Sequence, residues 1–147
     1  MNNLNKQSHL LRAGRTSEPG RLYLVTTTTL HREPVFAELQ NARTLIKILN
    51  AESQLKQVHT WCFVVMPDHL HWLMQLNDES LPRVVGRVKS LSSHQIGRPI
   101  WQTGFHDRAV REEEDLKGIS RYIIANPIRA GMVESVGDYP HWDAVWL

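Results

Sequence analysis

Between Pro67 and Leu76 the sequence PDHLHWLMQL alternates, with Leu70, Trp72, Met74 and Leu76 on one side and His69, His71, Leu73 and Gln75 on the other. Successive side chains of a β-strand point to opposite faces, so the spacing predicts a strand with one dry face and one bearing two imidazoles. The apolar run VHTWCFVVM (58–66) predicts a central strand just before it, with Pro67-Asp68 as the tight turn between two antiparallel neighbours. RLYLVTTTTL (21–30) is rich in β-branched and aromatic residues and predicts a first strand, its threonines serving β-propensity.

Helical spacing marks the remaining segments. Leu39, Ala42, Ile46 and Leu49 recur every three or four residues and predict an amphipathic helix over Val35 to Asn50. Leu81, Val84, Val85, Val88, Leu91 and Ile96 predict a second. After a GRP break, IWQTGFHDRAVR (100–111) reads as a fourth strand with imperfect alternation. The acidic run EEED (112–115) suits the positive end of a third helix, which is expected to end at Asn126 because Pro127 follows. The order strand, helix, strand, strand, helix, strand, helix is that of an α+β, ferredoxin-like βαββαβ core with an antiparallel sheet and an additional C-terminal helix. Residues 1–19, polar and closing on TSEPG, read as an N-terminal arm, and residues 20–147 as one domain.

Composition narrows the class without naming a partner. The chain has 147 residues, 41% hydrophobic and 22% charged, an ordinary globular balance. A formal charge of +2 and a pI near 8.9 permit a nucleic-acid partner without demanding one. Arginine outnumbers lysine among the seventeen basic residues, which tilts that balance toward phosphate, since the guanidinium fork grips phosphate with two parallel hydrogen bonds. The single cysteine, Cys62, excludes an intrachain disulfide and fits a reducing cytoplasm. No stretch approaches the roughly 18 apolar residues of a membrane span, so no membrane partner is expected.

The chemistry centres on the histidine pair. Two neutral imidazoles leave a divalent ion under-coordinated, and a partly exposed strand face also holds histidines for no chemical reason. The segment LKGISRYIIANP (116–127) offers complements: Tyr122 and Asn126 are four residues apart, on one helix face, with Ile119 and Ile123 beside them to anchor the helix. The amide oxygen suits a hard ion, Mg2+ or Mn2+, as a third ligand. The phenol suits a nucleophile once a cation polarises its target. The same spacing also fits a core tyrosine and a helix-capping asparagine.

RLYLVTTTT, MPDHLHW, IWQTGFHDRAVR and YIIANPIRAGMV, taken in order, resemble the single-tyrosine HUH transposases, in particular the REP-associated tyrosine transposases. The similarity covers roughly Gly20 to Trp146. It implies a DNA-binding endonuclease and strand transferase for single-stranded DNA, acting in transposition and recombination, with His69 and His71 as metal ligands and Tyr122 as nucleophile. Asn126 falls where such enzymes place a polar residue one turn after the tyrosine. The asparagine and its NPIRAGMV context favour the REP-associated branch over mobile insertion sequences.

The implied partners are palindromic DNA hairpins, bound by a monomer or a homodimer. Candidate backbone contacts are Arg83, Arg87 and Lys89 on the second helix, Arg12, Arg15 and Arg21 near the arm, and Arg108, Arg111, Arg121 and Arg129 nearer the proposed chemistry. His106 and Asp107 are candidates to orient a metal ligand from the second shell. Trp142 and Trp146 are candidates for base stacking. Two readings from other classes stay open: a non-catalytic single-strand-binding module on the same scaffold, and a metal-dependent hydrolase that activates water and leaves Tyr122 without a role.

Overall fold

Alternation in the strands and three-to-four spacing in the helices sort the side chains onto two faces of one sheet. The computed structural model describes residues 20–111 and 114–144. Its elements are β1 (Leu22–Thr28), α1 (Leu39–Gln54), β2 (Val58–Met66), β3 (His69–Leu76), α2 (Leu81–Ile96), β4 (His106–Val110), α3 (Leu116–Ile124), α4 (Asn126–Arg129) and β5 (Trp142–Ala144). The strands form an antiparallel sheet in the order β4-β1-β3-β2-β5. The first four make the expected ferredoxin-like arrangement, and β5 extends its β2 edge. Among the described residues no helix is long and apolar enough to cross a membrane.

One face carries Tyr23, Val25, Phe63, Val65, Leu70, Trp72, Met74 and Leu76 and is buried under α1 and α2. The Trp72 indole N–H donates to Thr60 Oγ1, so this large ring is both fully buried and satisfied. The other face carries Cys62, Val64, Met66, Leu73, Val110 and Ala144 and is covered by Ile123 of α3 with Tyr139. A bulge makes this possible: the β2–β3 register shifts between Thr60 and Cys62, which leaves Trp61 as the extra residue. Beyond the bulge, Cys62, Val64 and Met66 fall on the same side as the histidines.

Several boundaries differ from those expected from sequence. The first helix starts at Leu39 because Val35–Ala37 forms a 3-10 turn that buries Phe36 against Trp101, with ring centroids 5.3 Å apart. It then runs to Gln54, past Asn50. The fourth strand is shorter than 100–111: Gly104 adopts φ +79, and before it Trp101 makes only an isolated bridge with Thr29. The third helix stops at Ile124 and a separate short turn begins at Asn126, since Pro127 has no N–H with which to continue the ladder.

Glu52, 1% exposed on α1, is held by Arg87 of α2 at 2.8 Å, and the same guanidinium reaches Glu79 at 2.7 Å. One fork therefore ties the two helices together. Removing one partner of a buried pair strands the other charge, so Arg87→Ala is expected to cost about 3 kcal/mol in urea unfolding. Arg87→Lys should recover less than half of that loss, because an ammonium cannot fork to two carboxylates. A loss close to that of an exposed ion pair would contradict this role.

Candidate functional site

Residues directly opposite one another in an antiparallel pair share a face. The register aligns Thr28, His69 and Met66 in one row across the sheet, and His106, Thr26, His71, Val64 and Trp142 in the next. The two imidazoles lie edge to face, 4.8 Å between centroids. Each is fixed through Nδ1: His69 to Asp68 Oδ1 at 2.7 Å and His71 to Thr26 Oγ1 at 2.9 Å. Among the described residues no hydrogen-bond partner reaches either Nε2, which leaves that nitrogen of each ring for a further ligand.

Protonation follows from these partners. Burial alone would raise the Asp68 carboxyl, but hydrogen bonds from His69 and Arg32 hold it below the usual range. An ionised carboxylate only accepts, so His69 donates to it from Nδ1. His71 is pushed down to about 4, first by burial and then by the charges of His69 and Arg129. It therefore stays neutral near pH 7, the form in which imidazole binds metal.

α3 lays Ile123 on the histidine-bearing face and turns Tyr122 outward, 67% exposed. The ring is not left loose, for the Arg129 guanidinium carbon stands 3.7 Å above its centroid. Arg129 also donates from Nη2 to Asn126 Oδ1 at 2.7 Å, and its charge reaches His71. One arginine thus joins the tyrosine and the asparagine. Tyr122 borders an open cleft of about 450 Å³ together with Leu24, Ile119, Arg108 and Glu114.

The other expected residues divide. Arg108 lies in the row next to His71, across from Leu24, and pairs with Glu114 at 2.7 Å. Glu114 is held below the carboxylate range by the Arg111 backbone N–H and then by Arg108. Arg111 and Arg121 are exposed. His106 shares the histidine face, two strands away from His71 at roughly 10 Å. Asp107 aligns with Val25 and Trp72, which puts it on the opposite face, away from both ligands. The residues that hold the histidine rings are Thr26 and Asp68, not the His106–Asp107 pair.

Arg83, Arg87 and Lys89 ride on α2, behind the sheet. Arg87 is committed to Glu52 and Glu79, and Lys89 donates to the carbonyls of Gln102 and Gly104, while Arg83 is largely exposed. Arg21 precedes the end of β1 farthest from Thr28, roughly 20 Å along the strand from the level of His69. Trp142 is half-buried with its indole donating to Val136 O. Arg12, Arg15 and Trp146 lie outside the described residues.

Sequence reasoning passed over Arg32 as well. It donates to Asp68 Oδ2 at 2.9 Å from a backbone with φ 55, next to His31 at φ 56. Two successive non-glycine residues in the left-handed region are uncommon. A threonine across the sheet and a carboxylate beside a histidine were the available signals for the ring partners.

Comparison with known proteins adds the family context. The profile of the family described as "Transposase IS200 like" matches residues 21–126. A REP-associated tyrosine transposase of Escherichia coli (strain K12) is 31% identical over 87 residues, covering 57% of this chain and 52% of that protein. A Haemophilus influenzae protein provisionally given the same name is 30% identical over 99 residues, 56% of each chain. The match thus spans about half the length of these curated relatives. A solved REP-associated tyrosine transposase bound to a REP hairpin superposes with a TM-score of 0.72 and 25% identity, over 87% of this chain and 79% of that one. A Deinococcus radiodurans protein shares the fold, with a TM-score of 0.54 and 22% identity, over 69% of this chain and 87% of that one.

The His71 environment sets a pH dependence in the metal-free chain. Its folded pKa of about 4 lies below the unfolded value, so between the two the unfolded chain binds a proton that the folded chain does not. Stability is expected to fall as the pH drops from about 6.5 toward 4. Urea unfolding at pH 7 and pH 5 should show a smaller loss in His71→Gln. An equal loss in both would place the acid sensitivity elsewhere.

Proposed function

The chain belongs to the IS200-like transposase family, and from that premise we propose that it is a metal-dependent single-stranded DNA endonuclease and strand transferase acting on hairpin-forming palindromic DNA. The observation that carries this reading is the packing of the tyrosine helix, through Ile123, on the sheet face that holds two Nδ1-anchored histidines. The solved relative bound to a REP hairpin supports the choice of DNA.

The donor set fits a hard divalent ion. Among the described residues no group of three or more His, Cys, Asp or Glu side chains is arranged to hold a metal ion; in this reading two imidazole nitrogens and the amide oxygen of Asn126 would hold it, with positions left for substrate oxygen. The Asn126 oxygen has two lone pairs, so its bond from Arg129 leaves one available. When bound, Mg2+ or Mn2+ supplies Lewis-acid polarisation of the scissile phosphate.

The chain's own residues do the rest. Tyr122 Oη gives up its phenolic proton to solvent as it attacks phosphorus and an O–P bond forms; the bond from phosphorus to the 3′ oxygen breaks, and that oxygen takes up a proton from solvent. The products are a 5′-phosphotyrosine and a free 3′-hydroxyl, which conserves the phosphodiester for rejoining. Thr26 and Asp68 hold the two rings through Nδ1, which turns Nε2 of each toward a ligand. On this reading Tyr122 acts in cis, with the histidines of the sheet on which its own helix packs.

Incubation with Mn2+ and a labelled hairpin should give a protein–DNA adduct on a denaturing gel that is absent in Tyr122→Phe and in His71→Ala. Mixing these two variants should restore nothing; restored adduct would mean action in trans. Thr26→Val should weaken Mn2+ binding by about 10-fold or more in calorimetry. Cleavage that survives Tyr122→Phe would favour water activation, and tight binding without cleavage in any metal would favour a binding module.

A further inference from the structure

We propose that Arg129 is the positioning residue of the nucleophile, holding the Tyr122 ring and the Asn126 amide in one pose and setting its positive charge where the scissile phosphate arrives. This rests on the reading of Tyr122 as the nucleophile.

An exposed tyrosine at the end of a helix samples several rotamers, and each is a different distance from any phosphate. Arg129 narrows that choice, because a guanidinium stacked on the ring is attracted to its negative face and favours the covered rotamer. The same fork closes on Asn126, so displacing the ring also costs a charge-assisted hydrogen bond. The break at Ala125 makes this geometry possible: Pro127 starts a new turn, and α4 brings Arg129 back over the last turn of α3. In a continuous helix, Arg129 would sit two turns beyond Tyr122 and could not cover its ring.

The rest of the fork is placed to act on substrate. Arg129 has five N–H donors, and among the described residues Asn126 Oδ1 is the acceptor recorded for it. Its side chain is exposed over the Tyr122 ring. The remaining donors can therefore meet the non-bridging oxygens of the phosphate that Tyr122 attacks, where negative charge builds up. Lysine cannot replace it, since an ammonium has no planar face to stack while gripping the amide.

The test separates this role from simple DNA binding. Hairpin affinity, single-turnover adduct formation and the NMR signals of 13C-labelled Tyr122 are measured for the wild-type chain, Arg129→Lys and Arg129→Ala. The adduct rate of Arg129→Ala should fall about 100-fold, with hairpin affinity weakened only about threefold, as for one lost phosphate contact. Millimolar free guanidinium should restore part of the rate in Arg129→Ala, and Arg129→Lys should remain well below wild type. The Tyr122 ring signals should shift in both variants, without DNA or metal.

A rate loss that only tracks lost affinity would make Arg129 a backbone contact and overturn the inference. So would unchanged Tyr122 signals, even if the wild-type chain formed no adduct. An absent wild-type adduct with shifted Tyr122 signals would instead overturn the proposed activity and the catalytic half of this inference, leaving Arg129 as a structural clamp.

Discussion

The register between β1 and β3 is the constraint on which the rest depends. A slip of one residue would send His69 and His71 into the α1–α2 core and bring Trp72 and Met74 out to the other face. Trp72 prevents this: it fills the dry side and satisfies its indole N–H on Thr60. The same register sets Thr26 opposite His71 and so supplies the hydroxyl that fixes the ring. Packing on one face therefore positions chemistry on the other.

The two faces divide the arginines by role. Behind the sheet, Arg87 is a structural tie between helices, with its charge absorbed by Glu52 and Glu79. On the histidine side, Arg108 is tempered by Glu114, while Arg129 is paired with a neutral amide and a ring and keeps its full charge. Positive charge is thus concentrated where a phosphate would meet Tyr122. The short α4 turn decides this, because the proline that breaks the helix also redirects Arg129 over the tyrosine.

The first three strands and the span of α2 were legible in the sequence because their periods are strong, and α2 has clear ends: Ser80 caps it, and Gly97 closes it at φ 98; the fourth strand, with imperfect alternation, starts only at His106. The start of α1 was not, since burial of Phe36 against Trp101 is a tertiary effect without a local signature. The histidine pair and the tyrosine stood out by spacing and by family resemblance. Their supporting residues did not, because Thr26 lies 45 residues before His71 and only strand pairing joins them. Asp107 was misplaced for a similar reason: its neighbour His106 takes the face toward the site, which leaves the aspartate on the far side.

The central claim is that the tyrosine turn and the histidine pair of one chain form a single site. Crystals grown with Mn2+ and examined by anomalous diffraction test it most directly. The account predicts an anomalous peak bridging Nε2 of His69 and Nε2 of His71, with Asn126 and Tyr122 of the same chain beside it. A peak bound elsewhere, or one at the histidines with Tyr122 turned away from it, would contradict the account.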